Sequence, residues 1–232
     1  MSSDDRATVL TDLALELQQA PDEDLTLKAI VGRSLELVQE ADFVSLTLRA
    51  RRRFLTPAST DELAVRADEL QYALGEGPCV EAASVGEAWR RSGDVGSDGQ
   101  WPTWGRRAAE ELGVNSLLSV QLSAGDEPIG AINFYGLARG LFVDPETVDL
   151  ALLYATHVAI ALTSKRQVMG LRTAMQSRHM IGLAQGILME RFQLDMDRSF
   201  DLLRRYSNHL NMRVTDLAEE LVRTRDLPRI PD

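Results

Sequence analysis

Apolar residues recur at helical spacing twice within the first forty positions. Val9, Leu10, Leu13 and Leu17 form one set; Leu27, Ile30, Val31 and Val38, with Ser34 on the same face, form the next. Pro21 and the acids around it separate the two predicted helices. From Asp42 the period shortens to two: Val44, Leu46 and Leu48 alternate with polar residues as on a half-buried strand, and the triplet Arg51–Arg53 ends it. L-G-E-G-P-C, Leu74 to Cys79, reads as a loop whose glycines permit unusual dihedrals and whose Pro78 can open a short helix. A strand-like A-W-R-R and the glycine-rich loop Gly93–Gly99 follow. Trp101–Leu112 reads as a helix capped by Gly113, and Ser116–Ser123 and Pro128–Gly136 as two strands joined by the turn A-G-D-E. This element order predicts a mixed sheet with helices on it.

Asp144-Pro145-Glu146 is a strong helix start, with aspartate as N-cap and proline first in the helix. No proline follows before Phe192. An unbroken helix there is about 70 Å long at 1.5 Å per residue, with a break at Gly170 as the other reading. Its apolar positions Leu150, Leu153, Val158, Ile160, Val168, Leu171 and Met175 follow heptads loosely. That suits a helix lying on the sheet at first and on a partner chain later, with a coiled-coil linker over 164–176. Asp197–Leu210 and Thr215–Arg225 then read as two helices. Phe200, Leu203, Ser207 and Leu210 share a face of the first, Leu217, Leu221 and Val222 a face of the second, and Thr215 stands at an N-cap position. Pro228 and Pro231 mark a loose tail.

Composition narrows the functional classes. The 232 residues are 44% hydrophobic and 26% charged, an ordinary globular balance for one or two domains. The single cysteine, Cys79, excludes an internal disulfide, and the three histidines form no H-x-x-x-H pair for zinc. No apolar run approaches the roughly 20 residues of a membrane span, and the acidic start M-S-S-D-D-R lacks a signal-peptide layout; a cytoplasmic protein is expected. Glu76 and Glu81 could be taken for an acid–base pair, but no nucleophile or metal cluster accompanies them, so no enzyme is expected. The net charge of −10 is uneven: residues 166–232 hold 11 arginines against 9 acids, whereas residues 1–165 hold 14 basic and 26 acidic residues. Every cation in the C-terminal part is a guanidinium, able to donate in pairs and to stack on bases.

The stretch Ser177–Phe192 places the small residues Gly182, Ala184 and Gly186 among large aliphatics. Two glycines cost an isolated helix about 1 kcal/mol each relative to alanine, which argues for close approach by another helix or a ligand. S-R at 177–178, I-G-L-A-Q-G-I-L-M-E-R at 181–191, F-D-L-L-R at 200–204, Ser207, Asn211 and D-L-A at 216–218 together resemble the ANTAR domain over residues 171–225. The resemblance implies an all-α three-helix bundle that binds paired RNA stem-loops in nascent transcripts as a homodimer and prevents transcription termination. It assigns RNA contacts to Arg178, Gln185, Arg204, Arg205, Asn208, Asn211 and Arg213, and packing to Gly182, Ala184, Gly186, Leu188 and Phe200. Asn211 reads equally well as the end of its helix. Gln185 departs from the lysine usual in that family; glutamine hydrogen-bonds a base or phosphate but neutralises no charge, which flattens the salt dependence of binding.

Residues 10–163, through L-G-E-G-P-C, W-P-x-W, S-L-L-S-V-Q-L and I-G-A-I-N-F-Y-G, resemble a GAF domain, an α/β sensor module with an antiparallel sheet and flanking helices. One departure is Gln100, where related actinobacterial proteins tend to carry arginine before W-P. The resemblance implies a small-molecule pocket of unknown ligand, for which Cys79, Trp101, Trp104, Asn133 and Tyr135 are the candidate lining residues. Each has a plainer reading: the aromatics as core, and Cys79 as a small buried hydrophobe instead of an oxidant-sensing thiol. The whole reads as an RNA-binding antitermination regulator under GAF control. The alternative is a ligand- or redox-sensing interaction protein whose ANTAR domain binds RNA weakly or not at all.

Overall fold

The computed structural model describes residues 23–50, 53–84 and 88–228. The helix expected at Val9–Leu17, the residues Arg51 and Arg52 and the tail beyond Pro228 lie outside them. The chain divides into two units, Met1–Lys165 and Arg166–Asp232.

The first unit runs α1 (Glu23–Leu37), β1 (Phe43–Ala50), β2 (Arg53–Ser59), α2 (Glu62–Leu74), α3 (Pro78–Ala82), β3 (Trp89–Ser92), α4 (Pro102–Leu112), β4 (Ser116–Ala124), β5 (Glu127–Gly136) and the start of α5 (Pro145–Phe192). The sheet order is β2-β1-β5-β4-β3, and every pair is antiparallel, which corrects the mixed sheet suggested by element order alone. The A-G-D-E turn closes the β4–β5 hairpin, with Gly125 left-handed at φ 63°. α4 ends at Gly113 in the left-handed conformation, as its position in sequence predicts.

Both sheet faces are covered. On one, Val44, Leu46, Leu118, Val120, Ile132 and Phe134 pack with Ile30 and Val31 of α1 and with Tyr154, Val158 and Leu162 of α5. On the other, Phe43, Leu117 and Tyr135 pack with Ala64 and Ala67 of α2 and Trp104 and Ala108 of α4. β1 is therefore not half-buried: Ser45 and Thr47, its polar alternates, are as buried as its valine and leucines. α5 is apolar and long enough by composition to cross a membrane, with an 18-residue stretch of mean hydropathy 1.4, contrary to the expectation that no run approaches that length. Its residues Ala151, Tyr154, Ala155, Val158, Ala159 and Leu162 are buried in the first unit's core.

The second unit comprises the rest of α5, α6 (Met196–Leu210) and α7 (Val214–Thr224) around Ala184, Leu188, Leu203, Leu217, Ala218 and Leu221. α5 is continuous through Gly170. Asp195 caps α6 by accepting from the Arg198 N–H, and Arg213, not Thr215, occupies the N-cap of α7. The packing expected of Gly182, Gly186 and Phe200 is not met among the described residues. A Cβ built on either glycine would meet open space, and Phe200 is 40% exposed. Ala184 and Leu188 face the bundle core; their glycine neighbours, two positions away, lie on the outward side by the helical period.

Candidate functional site

The register of the sheet assembles a polar core in the first unit. Asn133 on β5 lies directly opposite Ser45 on β1 and Ser119 on β4, so three small polar side chains meet on the face covered by α2. Asn133 Nδ2 shares its two hydrogens among Ser45 Oγ at 3.1 Å, Thr47 Oγ1 at 2.9 Å and Asp68 Oδ1 at 3.1 Å, and its Oδ1 accepts from Ser119 Oγ at 2.7 Å. Asp68, on the inner face of α2, also accepts from the Tyr135 hydroxyl and, through Oδ2, from Thr56 Oγ1 at 2.7 Å. Gln71 Nε2 donates to Tyr135 Oη at 3.0 Å while Gln71 Oε1 accepts from the Cys79 N–H at 2.8 Å. Gly77, at φ 140°, lets this amide lie against the turn; a Cβ there would fall 2.3 Å from Gln71 Oε1.

Asp68, Gln71, Cys79, Asn133 and Tyr135 are fully buried. The Asp68 carboxyl is pushed up to about 6 by burial, against the pull of the hydroxyl and amide donors. Burial also pushes the Tyr135 phenol and the Cys79 thiol well above their usual ranges, with the Asp68 charge adding to both. Cys79 at neutral pH is a buried, protonated thiol.

The two glutamates once readable as an acid–base pair bind the rest of the turn. Glu76 Oε1 accepts from the N–H groups of Thr103 and Trp104, at 2.7 and 2.8 Å, and so caps α4 from a distance in sequence. Glu81 accepts from Trp101 Nε1 at 2.9 Å and from Arg90 Nε at 2.9 Å. Trp101 and Trp104 meet edge to face, 6.4 Å between centroids, and Trp104 Nε1 donates to the Ala67 carbonyl. L-G-E-G-P-C and W-P-T-W, remote in the chain, thus form one structure. Gln100 is exposed in the loop before it.

In the second unit Arg178, Arg204, Arg205, Asn208, Asn211 and Arg213 are all exposed. Arg204 pairs with Asp201 at 3.0 Å, and Arg205 Nε reaches the Asp201 carbonyl at 3.4 Å. Asn211 ends α6 in the left-handed conformation, φ 51°, with its N–H on the Asn208 carbonyl. Gln185 is half-buried and donates to the Met196 carbonyl at 2.9 Å and to Ser199 Oγ at 3.3 Å.

A GAF domain family model matches residues 20–163. The chain belongs to the GAF domain family. An ANTAR domain model matches residues 170–222, so the GAF domain is followed by an ANTAR domain. The GAF fold is similar to that of a phosphoenolpyruvate-protein phosphotransferase GAF domain from Coxiella burnetii, at 18% identity and TM-score 0.57, covering 73% of this chain and 99% of that one. The corresponding Acinetobacter domain matches at 15% identity and TM-score 0.55, over 73% and 99%. A bacteriophytochrome from R. palustris matches at 12% identity and TM-score 0.63, over 88% of this chain and 47% of that one. At these identities the likeness is one of fold. No curated protein matches the chain.

A GAF sensor domain followed by an ANTAR domain is the architecture of a regulator with an RNA-binding output. Within the GAF domain the structure brings Asn133, Tyr135 and the Cys79 backbone into one hydrogen-bonded group and sets Trp101 and Trp104 beside the α4 N-terminus. Sequence reasoning missed Asp68, Gln71, Thr47, Thr56 and Tyr72, which complete that group. The signal available was the polar set Ser45, Thr47, Ser119 and Asn133, alternating within apolar strands.

Proposed function

We propose that this protein is a non-enzymatic cytoplasmic antitermination regulator: a homodimer whose ANTAR domains hold paired stem-loops of a nascent transcript under control of the GAF domain. The observation that carries the reading is the exposed guanidinium and amide set Arg178, Arg204, Arg205, Asn208 and Arg213 on a domain matching the ANTAR model. Such groups donate to phosphates and to splayed loop bases. Support for the dimer is the apolar run Val168, Leu171 and Met175 on α5, which is 47%, 66% and 71% exposed at coiled-coil spacing. Titration with a two-stem-loop RNA at two salt concentrations tests the reading, and no binding at low salt refutes it. Light scattering tests the dimer: charge substitutions at Leu171 and Met175 are expected to yield monomers with weakened RNA binding.

A second reading, a sensing and interaction protein with little RNA affinity, is favoured by Gln185. Its amide is engaged with Met196 and Ser199, at the position where the ANTAR resemblance expects a lysine charge. The same titration separates the two readings.

A further inference from the structure

Three hydroxyls continue the hydrogen bonding from Asp68 Oδ2 into the GAF interior. Thr56 Oγ1 lies 2.7 Å from Asp68 Oδ2 and 2.8 Å from Tyr72 Oη, and Tyr72 Oη lies 2.8 Å from Thr47 Oγ1. Each hydroxyl has one hydrogen, so the direction of the chain is determined by its end. With Asp68 ionised, Thr56 must donate to the carboxylate, Tyr72 to Thr56, and Thr47 to Tyr72.

A proton added at Asp68 Oδ2 is accepted by Thr56. Oδ1 already receives the Asn133 amide and the Tyr135 hydroxyl, and an amide N–H cannot turn into an acceptor. Oδ2 meets Thr56 Oγ1 at 2.7 Å, whose oxygen can accept once its own hydrogen turns toward Tyr72. The reversal passes through Tyr72 to Thr47. The Thr47 hydroxyl, which keeps the Asn133 amide as donor, then no longer donates to Tyr72.

We propose that the GAF interior is a proton-operated switch: protonation of Asp68 at Oδ2 reverses the chain Asp68–Thr56–Tyr72–Thr47 and frees the Thr47 hydroxyl hydrogen from Tyr72. The ligand of this site is the proton. The groups facing Asp68 from the surrounding elements are Ser45 and Thr47 on β1, Thr56 on β2, Gln71 and Tyr72 on α2, Cys79 on α3, Ser119 on β4 and Asn133 and Tyr135 on β5. Those that titrate, Tyr72, Tyr135 and Cys79, are all raised by burial and hold their protons through neutral pH, leaving Asp68 as the group that changes.

Infrared difference spectroscopy on the full chain carrying carbon-13 aspartate tests this directly. Expected is a buried neutral-carboxyl band that grows as pH falls, with a midpoint near 6, accompanied by a tyrosine ring-mode change with the same midpoint. Tyr72→Phe removes the acceptor that the reversed Thr56 needs, so it should lower the midpoint and abolish the coupled tyrosine change. Asp68→Asn should abolish both signals. Stability should track the band: the native state holds the proton that the unfolded chain has lost, so the thermal midpoint falls as pH rises from about 4 to about 6. A carboxyl band titrating only near the ordinary aspartate range, or a tyrosine change that persists in Asp68→Asn, would overturn the proposal. So would a Tyr72→Phe protein with an unmoved midpoint.

Discussion

Gln185 donates its side-chain amide to the Met196 carbonyl at 2.9 Å, across the turn that joins α5 to α6. That bond uses a donor otherwise free for RNA, and it orients the first turn of α6, whose Ser199 hydroxyl also meets the same amide. Gln185→Ala is expected to cost about 0.5–1 kcal/mol of ANTAR-domain stability, the value of a partly exposed neutral hydrogen bond, read by thermal unfolding. Gln185→Lys keeps a donor for Met196 and adds a charge. Its RNA affinity should rise at low salt, and the slope of log affinity against log salt should steepen by up to about one. An unchanged slope would place residue 185 outside the RNA contact.

Glu76 holds the start of α4. Replacing it with alanine leaves the N–H groups of Thr103 and Trp104 without their charged acceptor, a loss of about 1–3 kcal/mol. The GAF domain is expected to unfold at lower temperature in Glu76→Ala, with Glu76→Gln recovering part of the difference. The tryptophan fluorescence of Trp101 and Trp104 should report the same transition.

Cys79 is buried, and its thiolate is disfavoured by burial and by Asp68. Modification by a thiol reagent at pH 7 therefore requires the domain to open. Labelling of the native protein should be roughly a thousandfold or more slower than that of the unfolded chain. Fast native labelling would restore a redox role for this residue.

The helix ends of the ANTAR domain carry backbone strain. Gln193, which follows α5, is left-handed at φ 53°, with the Leu194 N–H on the Met189 carbonyl in the pattern that favours glycine. Gln193→Gly is expected to stabilise the domain by about 1 kcal/mol, observed as a higher unfolding midpoint. Asn211, left-handed at φ 51°, tolerates that conformation better, and Asn211→Gly should change stability by only a few tenths of a kcal/mol.

Sequence alone determined both families and most of the elements, because these rest on local rules, though not the Glu62–Leu74 helix. The period-two runs at Val44 and Leu118, the Asp144-Pro145 start, the Gly113 cap and the I-G-L-A-Q-G-I-L-M-E-R motif each act over a few residues of chain. It also showed that β1 carries Ser45 and Thr47 between its apolar positions, but not where that polar face goes. Only the tertiary structure decided this, since the registers that set Asn133 opposite both Ser45 and Ser119, and the α2 layer that brings Asp68 over them, join segments up to 88 residues apart. The same holds for Glu76 and Glu81, which by spacing resemble an acid–base pair and by packing are a helix cap and a tryptophan anchor. Gly182 and Gly186 turned the other way: read as a seam for packing, they lie on the open side of α5, because the helical period gives the bundle core to Ala184 and Leu188.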